Sequence, residues 1–165
     1  MARRLPGWAK RLIYRIGPLA RLVRSELNRA APVGMSVIQV AAGAIAGLQV
    51  ELDLHSEKDY WLGTYEIELQ EALTRLVKPG MVAYDVGANI GYISLILASL
   101  AGPGGRVFAF EALPDNVRRL RKNLELNQMS DRVSVTPEAV IDRSGKVSFL
   151  VGPSGGMGKA EGSAG

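Results

Sequence analysis

Three places along this 165-residue chain hold side chains able to do chemistry together: Asp85-Val86-Gly87-Ala88-Asn89-Ile90-Gly91, then Glu111, then Glu138-Ala139. Gly87 and Gly91 lack a Cβ, so the chain can bend sharply there, with Ala88 and Asn89 between them, and a ligand can approach the main chain. A helix beginning after the bend turns its N-terminus, and hence partial positive charge, toward a carboxylate or phosphate. Asp85 favours a positive group beside it. Glu111 follows Gly91 by twenty residues; a carboxylate only accepts hydrogen bonds and can take both hydroxyls of a ribose. Glu138 and Ala139 offer a carboxylate and backbone groups to the edge of an adenine. An adenosine laid across all three places, with an amino-acid tail over the bend, satisfies each of them.

Each residue also has a plainer explanation. A lone Gly-x-x-x-Gly can be no more than a tight strand-to-helix turn, and a single Asp or Glu can cap a helix. The chemical reading rests on the combination. A nicotinamide dinucleotide is the rival ligand, but its fingerprint, Gly-x-Gly-x-x-Gly, needs a second glycine to admit the pyrophosphate. Here Asn89 occupies the middle of the bend and Asp85 adds negative charge. Two carboxylates flanking the bend suit a cation carrying an ammonium and a sulfonium, and suit a pyrophosphate badly.

The surrounding pattern must place those residues at strand ends. Met81–Val86 is a short apolar run with poor alternation, as expected of a strand buried on both faces. A helix follows over about 90–100, with Ile93, Ile96, Leu97 and Leu100 facing inward. Arg106–Glu111 is the next strand. Pro114 opens a helix running to about Gln128, with Val117, Leu120 and Leu124 buried and Arg118, Arg119, Arg121 and Lys122 solvated, so no nucleic-acid surface is assigned to these. A third strand lies near 132–136, with a further piece at Ala139–Ile141, and Ser144-Gly145 turns into a strand over 146–151. This alternation predicts an α/β fold with a parallel sheet whose strands run outward in chain order.

Upstream, Tyr65–Val77 is a helix with Leu69, Ala72, Leu73 and Leu76 on one face, ended by Lys78-Pro79-Gly80. Ala30–Val50 carries no charge and is about long enough to span a bilayer. Its glycines, and the alternation of Leu48, Val50, Leu52 and Leu54 against Gln49, Glu51, Asp53 and His55, make a β-hairpin the better reading, and no transmembrane span is expected. His55 is read as a solvated loop residue. The first thirty residues hold Arg3, Arg4, Lys10, Arg11, Arg15, Arg21, Arg24 and Arg29 against Glu26, interleaved with apolar residues at helical spacing. They read as an amphipathic extension packing on protein, with peripheral contact to anionic lipid as the alternative. Four regions follow: 1–30, the basic extension; 31–60, the hairpin lead-in; 61–151, the α/β half-domain; and 152–165, a Gly/Ser-rich tail expected to be disordered. The chain has no cysteine, which excludes disulfides, thiolate metal sites and cysteine nucleophiles; one histidine leaves little room for a metal centre, and none is expected.

From Trp61 to Gly145 the sequence resembles the FkbM-type methyltransferases, in Gly63-Thr-Tyr-Glu66, Val77-Lys-Pro-Gly80, Asp85-Val-Gly-Ala-Asn-Ile-Gly91-Tyr92, Phe110-Glu111-Ala-Leu-Pro114-Asp-Asn116 and Ala139-Val140. The resemblance implies a Rossmann-like class I methyltransferase sheet, here incomplete, with its first three parallel strands and their helices preceded by the hairpin and the basic helix. It implies S-adenosylmethionine as cofactor, and O-methylation of a small-molecule or glycan hydroxyl; the cysteine-free composition, for its part, gives a cytoplasmic location as the expectation. Asp85, Gly87, Ala88, Asn89, Gly91, Glu111, Glu138 and Ala139 map onto donor contacts, and Glu66 either closes over the donor or is an exposed helix-start carboxylate. The family's fourth strand, with its Asp-Val-Glu-Gly-like ending, has no counterpart in these residues. No catalytic residue is therefore named. The chain is expected to be a truncated one with an unpaired strand edge, open to self-association and with little activity. A donor-binding remnant without turnover is the alternative, and a dinucleotide-binding protein the less favoured one.

Overall fold

A computed structural model of the chain describes residues 33–146, 148–151 and 158–160; the basic extension expected over 1–30 lies outside them. The described residues fall into two compact units that divide between Glu71 and Ala72.

In the first unit, β1 (Met35–Gln39) and β2 (Gln49–Asp53) pair antiparallel, with Met35 opposite Asp53 and Gln39 opposite Gln49. The alternation does what a period of two dictates: Val50, Leu52 and Leu54 are buried, while Gln49 is exposed. The uncharged segment is thus a hairpin, and no helix among the described residues is long and apolar enough to cross a membrane. A one-turn helix, α1 (Lys58–Leu62), follows and ends at Gly63 in the left-handed region, φ +70°. Its five residues are too few to show a period, so sequence reading passed over it. The next helix, α2 (Ile67–Leu76), begins two residues later than expected. Gln70 on it is buried; its side chain accepts from the Ala44 N–H at 2.9 Å and donates to the carbonyls of Gly63 and Tyr65, tying the hairpin loop to the α1–α2 turn. His55 stays on the surface, its Nδ1 3.6 Å from Asp53 Oδ1.

The second unit is built on three parallel strands, β3 (Val82–Val86), β4 (Arg106–Phe110) and β5 (Val133–Thr136), adjacent in chain order. Register places Asp85 beside Ala109 and Phe110 beside Thr136, so the three carboxyl ends form one edge. The crossovers are α3 (Tyr92–Ala101) and α4 (Pro114–Leu126). Val117, Leu120 and Leu124 of α4 are buried as their spacing requires, and Arg118, Arg121 and Lys122 are exposed. α3 is apolar on nearly every side, and Tyr92, Ser94, Leu95, Ile96, Leu97, Ala98 and Ala101 are all buried. Of the expected inward set, Ile96 and Leu97 are buried while Ile93 and Leu100 are only half-buried, because a helix this uniformly apolar carries no stripe to read.

Three further expectations are corrected. β3 is not buried on both faces: Val82, Tyr84 and Val86 are each more than half exposed. Ala83 and Asp85 point the other way, and Asp85 is met by Ser94 of α3. Ala139–Ile141 is irregular rather than a strand, since β5 ends at Thr136 and Pro137 brings no N–H to a ladder. The tail is not wholly without structure: β6 (Phe149–Val151) pairs antiparallel with β7 (Gly158–Ala160). Main-chain pairing asks for no apolar period, which is why composition alone did not reveal it.

Gly105 lets the α3–β4 turn lie against the start of β3. A Cβ there would stand 2.4 Å from the Ala101 Cβ and 2.8 Å from the Met81 carbonyl oxygen. Gly105→Ala is expected to cost about 1–3 kcal/mol through overpacking, read as a lower midpoint in thermal unfolding.

Candidate functional site

The bend after β3 is made by left-handed residues in alternation: Gly87 at φ +80°, Asn89 at +50° and Gly91 at +87°. Such backbone is open to glycine and tolerated by asparagine, and it turns the chain from strand to helix within five residues. The bend's N–H groups point inward. Gly87 and Ala88 both donate to the Phe110 carbonyl at 2.9 Å, Asn89 donates to Glu111 Oε2 at 2.8 Å, and Gly91 to the Ala88 carbonyl at 2.8 Å. The bend is thereby stitched to the end of β4.

Glu111, only 7% exposed, is the centre of this stitching. Its Oε2 accepts from Asn89, and its Oε1 accepts from the Leu113 N–H at 2.8 Å and from Asn116 Nδ2 at 3.4 Å. All three donors are neutral, so the buried charge has no cationic side chain beside it among the described residues. A carboxylate offers about four acceptor positions, and here one remains, on Oε2. The expectation that Glu111 stands free to take both ribose hydroxyls is narrowed accordingly: one position is open, and the other requires Asn116 to yield.

Asp85, 8% exposed, is the second buried carboxylate at the bend, and Ser94 Oγ on α3 donates to its Oδ2 at 2.6 Å. Ala88 is buried. A Cβ added at Gly87 would meet no heavy atom within 4 Å, so the bend is open on that side. The Asn89 Oδ1 is buried and has no hydrogen-bond partner. Buried polar atoms are nearly always paired, which makes it an acceptor for a donor that the protein does not itself supply.

Glu138 and Ala139 stand beyond β5. They line a cavity of about 580 Å³ at the ends of β4 and β5, together with Phe110, Ala112, Pro137 and Val140. Glu138 is exposed, and its N–H is held by the Thr136 carbonyl at 2.9 Å. Asp85, Gly87, Ala88, Asn89, Gly91 and Glu111 thus come together at one bend, with Glu138 and Ala139 along the same strand edge. Glu66 lies in the other unit at φ +45°, with its carbonyl accepting from the Gln70 N–H.

Sequence reading missed Ser94 and Asn123. Ser94 was hidden inside an otherwise apolar helix. Asn123, wholly buried on α4, donates to the Ile90 carbonyl at 2.8 Å; its spacing of seven from Asn116 was the available signal.

Residues 85–165 match the model of the methyltransferase FkbM domain. This stretch is thus similar to the FkbM-type methyltransferases. The 31-O-demethyl-FK506 methyltransferase FkbM of Streptomyces tacrolimicus is 41% identical over 70 residues, covering 41% of this chain and 26% of that enzyme. A protein-L-isoaspartate O-methyltransferase of Aeropyrum pernix is 50% identical over 48 residues, 29% of this chain and 18% of the relative. Among solved structures, P. horikoshii TYW2 in complex with MeSAdo aligns with a TM-score of 0.48 and 22% identity, covering 67% of this chain and 38% of that one. The chain spans between 18% and 31% of the length of the four isoaspartate methyltransferases it matches. The matched FkbM segment begins at Asp85 and so takes in the bend, Glu111 and Glu138.

The two glycines of this segment should separate under substitution. A Cβ at Gly91 would lie 3.0 Å from Leu120 Cγ and 3.4 Å from its Cα, on a left-handed backbone; at Gly87 only the backbone strain applies. Thermal unfolding is expected to show Gly91→Ala losing more stability than Gly87→Ala, which should lose about 1 kcal/mol, the low end for a left-handed non-glycine residue.

Proposed function

We propose that the crevice at the carboxyl ends of β3, β4 and β5 binds S-adenosylmethionine, and that the protein transfers the methyl group to a hydroxyl oxygen of a small molecule or glycan. The observation that carries the reading is the polarity of the bend. Its N–H groups at Gly87, Ala88 and Asn89 are spent inside the protein, while two buried carboxylates, Asp85 and Glu111, stand beside it. A pyrophosphate needs main-chain donors and meets negative charge here instead. A ligand bearing an ammonium and a sulfonium gains from both carboxylates, because opposite charges attract more strongly where water is scarce.

The residues fit that ligand part by part. The open side of Gly87 admits the amino-acid portion against the main chain, and Asn89 Oδ1 offers an acceptor to its ammonium. The free position on Glu111 Oε2 accepts a ribose hydroxyl. The cavity at Glu138 and Ala139 takes the adenine. Bound there, S-adenosylmethionine would supply a methyl group on a positively charged sulfur, ready for displacement. The protein's contribution is orientation: a donor held at three strand ends presents its methyl in one direction, and positioning of that kind lowers the barrier for an incoming oxygen. Oxygen as the acceptor is supported by the resemblance and by the names of both the Streptomyces and the Aeropyrum relatives.

Titration calorimetry with S-adenosylhomocysteine and, separately, NAD tests the reading. The homocysteine compound should bind and NAD should not compete with it. Asp85→Asn combined with Glu111→Gln should weaken binding on the order of a hundredfold, since hydrogen bonds to charged groups contribute about 1.5–3 kcal/mol each. Gly87→Ala should weaken it while leaving the fold nearly intact. Unchanged affinity in the double variant, or tighter binding of NAD, would overturn the proposal. Methyl transfer to hydroxylated acceptors, assayed on the same chain, distinguishes turnover from binding alone.

A further inference from the structure

Helix α4 carries three residues on one face, Asn116, Leu120 and Asn123, whose spacing of four and three brings them into line along two turns. Leu120 and Asn123 meet the bend after β3 directly, and Asn116 reaches it through Glu111. Asn116 Nδ2 donates to Glu111 Oε1, and the other oxygen of that carboxylate holds the Asn89 N–H. Leu120 packs against Gly91 so closely that a Cβ there would come within 3.0 Å of it. Asn123 Nδ2 donates to the Ile90 carbonyl at 2.8 Å. All three side chains are 3% exposed or less. Two amides buried on one helix, Asn116 in its first turn and Asn123 in its interior, run against composition, because asparagine is not a common core residue.

We propose that Asn116, Leu120 and Asn123 are positioning residues: α4 acts as a rigid template that sets the shape of the bend before any donor arrives. The inference rests on the donor-binding reading of the crevice, and none of the three need touch the donor itself. Three successive residues of the bend, Asn89, Ile90 and Gly91, are fixed from this one helix face, and two of them have left-handed backbone. That conformation costs energy at Asn89, so outside contacts must hold it. With the bend already formed, binding need not supply its ordering, which otherwise subtracts from affinity.

The test uses Asn123→Leu, which keeps the branching at Cγ and removes the hydrogen bond, and Asn116→Ala. Val133→Ala, a cavity at the far end of β5, serves as an equally destabilising control, and Lys122→Ala as an exposed control on the same helix. Affinity for S-adenosylhomocysteine should fall about five- to tenfold in each asparagine variant, the equivalent of one buried hydrogen bond. It should stay within twofold in both controls, even though Val133→Ala lowers the melting temperature. Without ligand, hydrogen exchange should quicken at the Asn89 amide in Asn116→Ala and at the Gly91 amide in Asn123→Leu, ahead of the rest of the sheet. If an asparagine variant does not fold, the other carries both readouts. Asparagine variants that bind as tightly as Val133→Ala, with bend amides no faster than the sheet, overturn the template. Failure of the unsubstituted chain to bind sinks the donor reading instead, and the exchange experiment still decides whether α4 holds the bend.

Discussion

One buried carboxylate organises the second unit. Glu111 sits where β4 ends, and its two oxygens reach the bend behind β3 in one direction and the start of α4 in the other. Removing a carboxylate from water is expensive unless its lone pairs are filled. Three N–H donors fill most of them, two from main chain that would otherwise be left without partners. The charge is thus solvated by protein dipoles, none of which is a cation. A salt bridge to an arginine would have stabilised the carboxylate equally well and cancelled that charge.

The geometry of the bend follows from the same constraint. Two N–H groups converge on the Phe110 carbonyl and a third on Glu111, all within the residues 87–89. Neighbouring N–H groups of an extended chain point in opposite directions, so collecting three on the tip of the adjacent strand requires backbone outside the extended region. Left-handed Gly87 and Asn89 provide it. Gly91, also left-handed, has a second reason: it ends the bend beside Leu120 of α4, and a Cβ there would sit 3.0 Å from that side chain. Two glycines that look equivalent in the sequence therefore answer to different neighbours, one to open space and one to a helix.

Much of this was legible before the structure. The alternation in Leu48–His55 fixed a strand and its buried face, and the α4 stripe of Val117, Leu120 and Leu124 fixed the helix and its orientation. The strand–bend–helix order placed Asp85, Glu111 and Glu138 along one edge of the sheet. What remained hidden had physical causes. α1 is a single turn without a period. The exposure of Val82, Tyr84 and Val86 depends on what lies over them, and composition describes the residues, not their cover. The roles of Ser94, Asn116 and Asn123 were hard to see because polar residues on a helix are normally solvated; the spacing of seven between the two asparagines hinted at a shared face, and the contacts show that it turns inward. Glu111 was read as a ligand contact alone. Its structural duty became visible only when its hydrogen-bond partners were placed, since a side chain that serves both fold and ligand shows the same letter for either.

That double service bears on how such a crevice discriminates. A site whose acceptors are free side chains can swing to suit several ligands. Here Glu111 is locked by the donors it already accepts, and Asp85 is held by Ser94, so both carboxylates have fixed directions. A ligand gains from them only if its donors and positive charge arrive with matching geometry, and one bearing phosphate meets the same fixed carboxylates as repulsion. On the proposed donor reading, discrimination between a cationic adenosyl compound and a dinucleotide then needs no additional residue. It is a consequence of using the same buried charge to fasten the bend and to face the crevice.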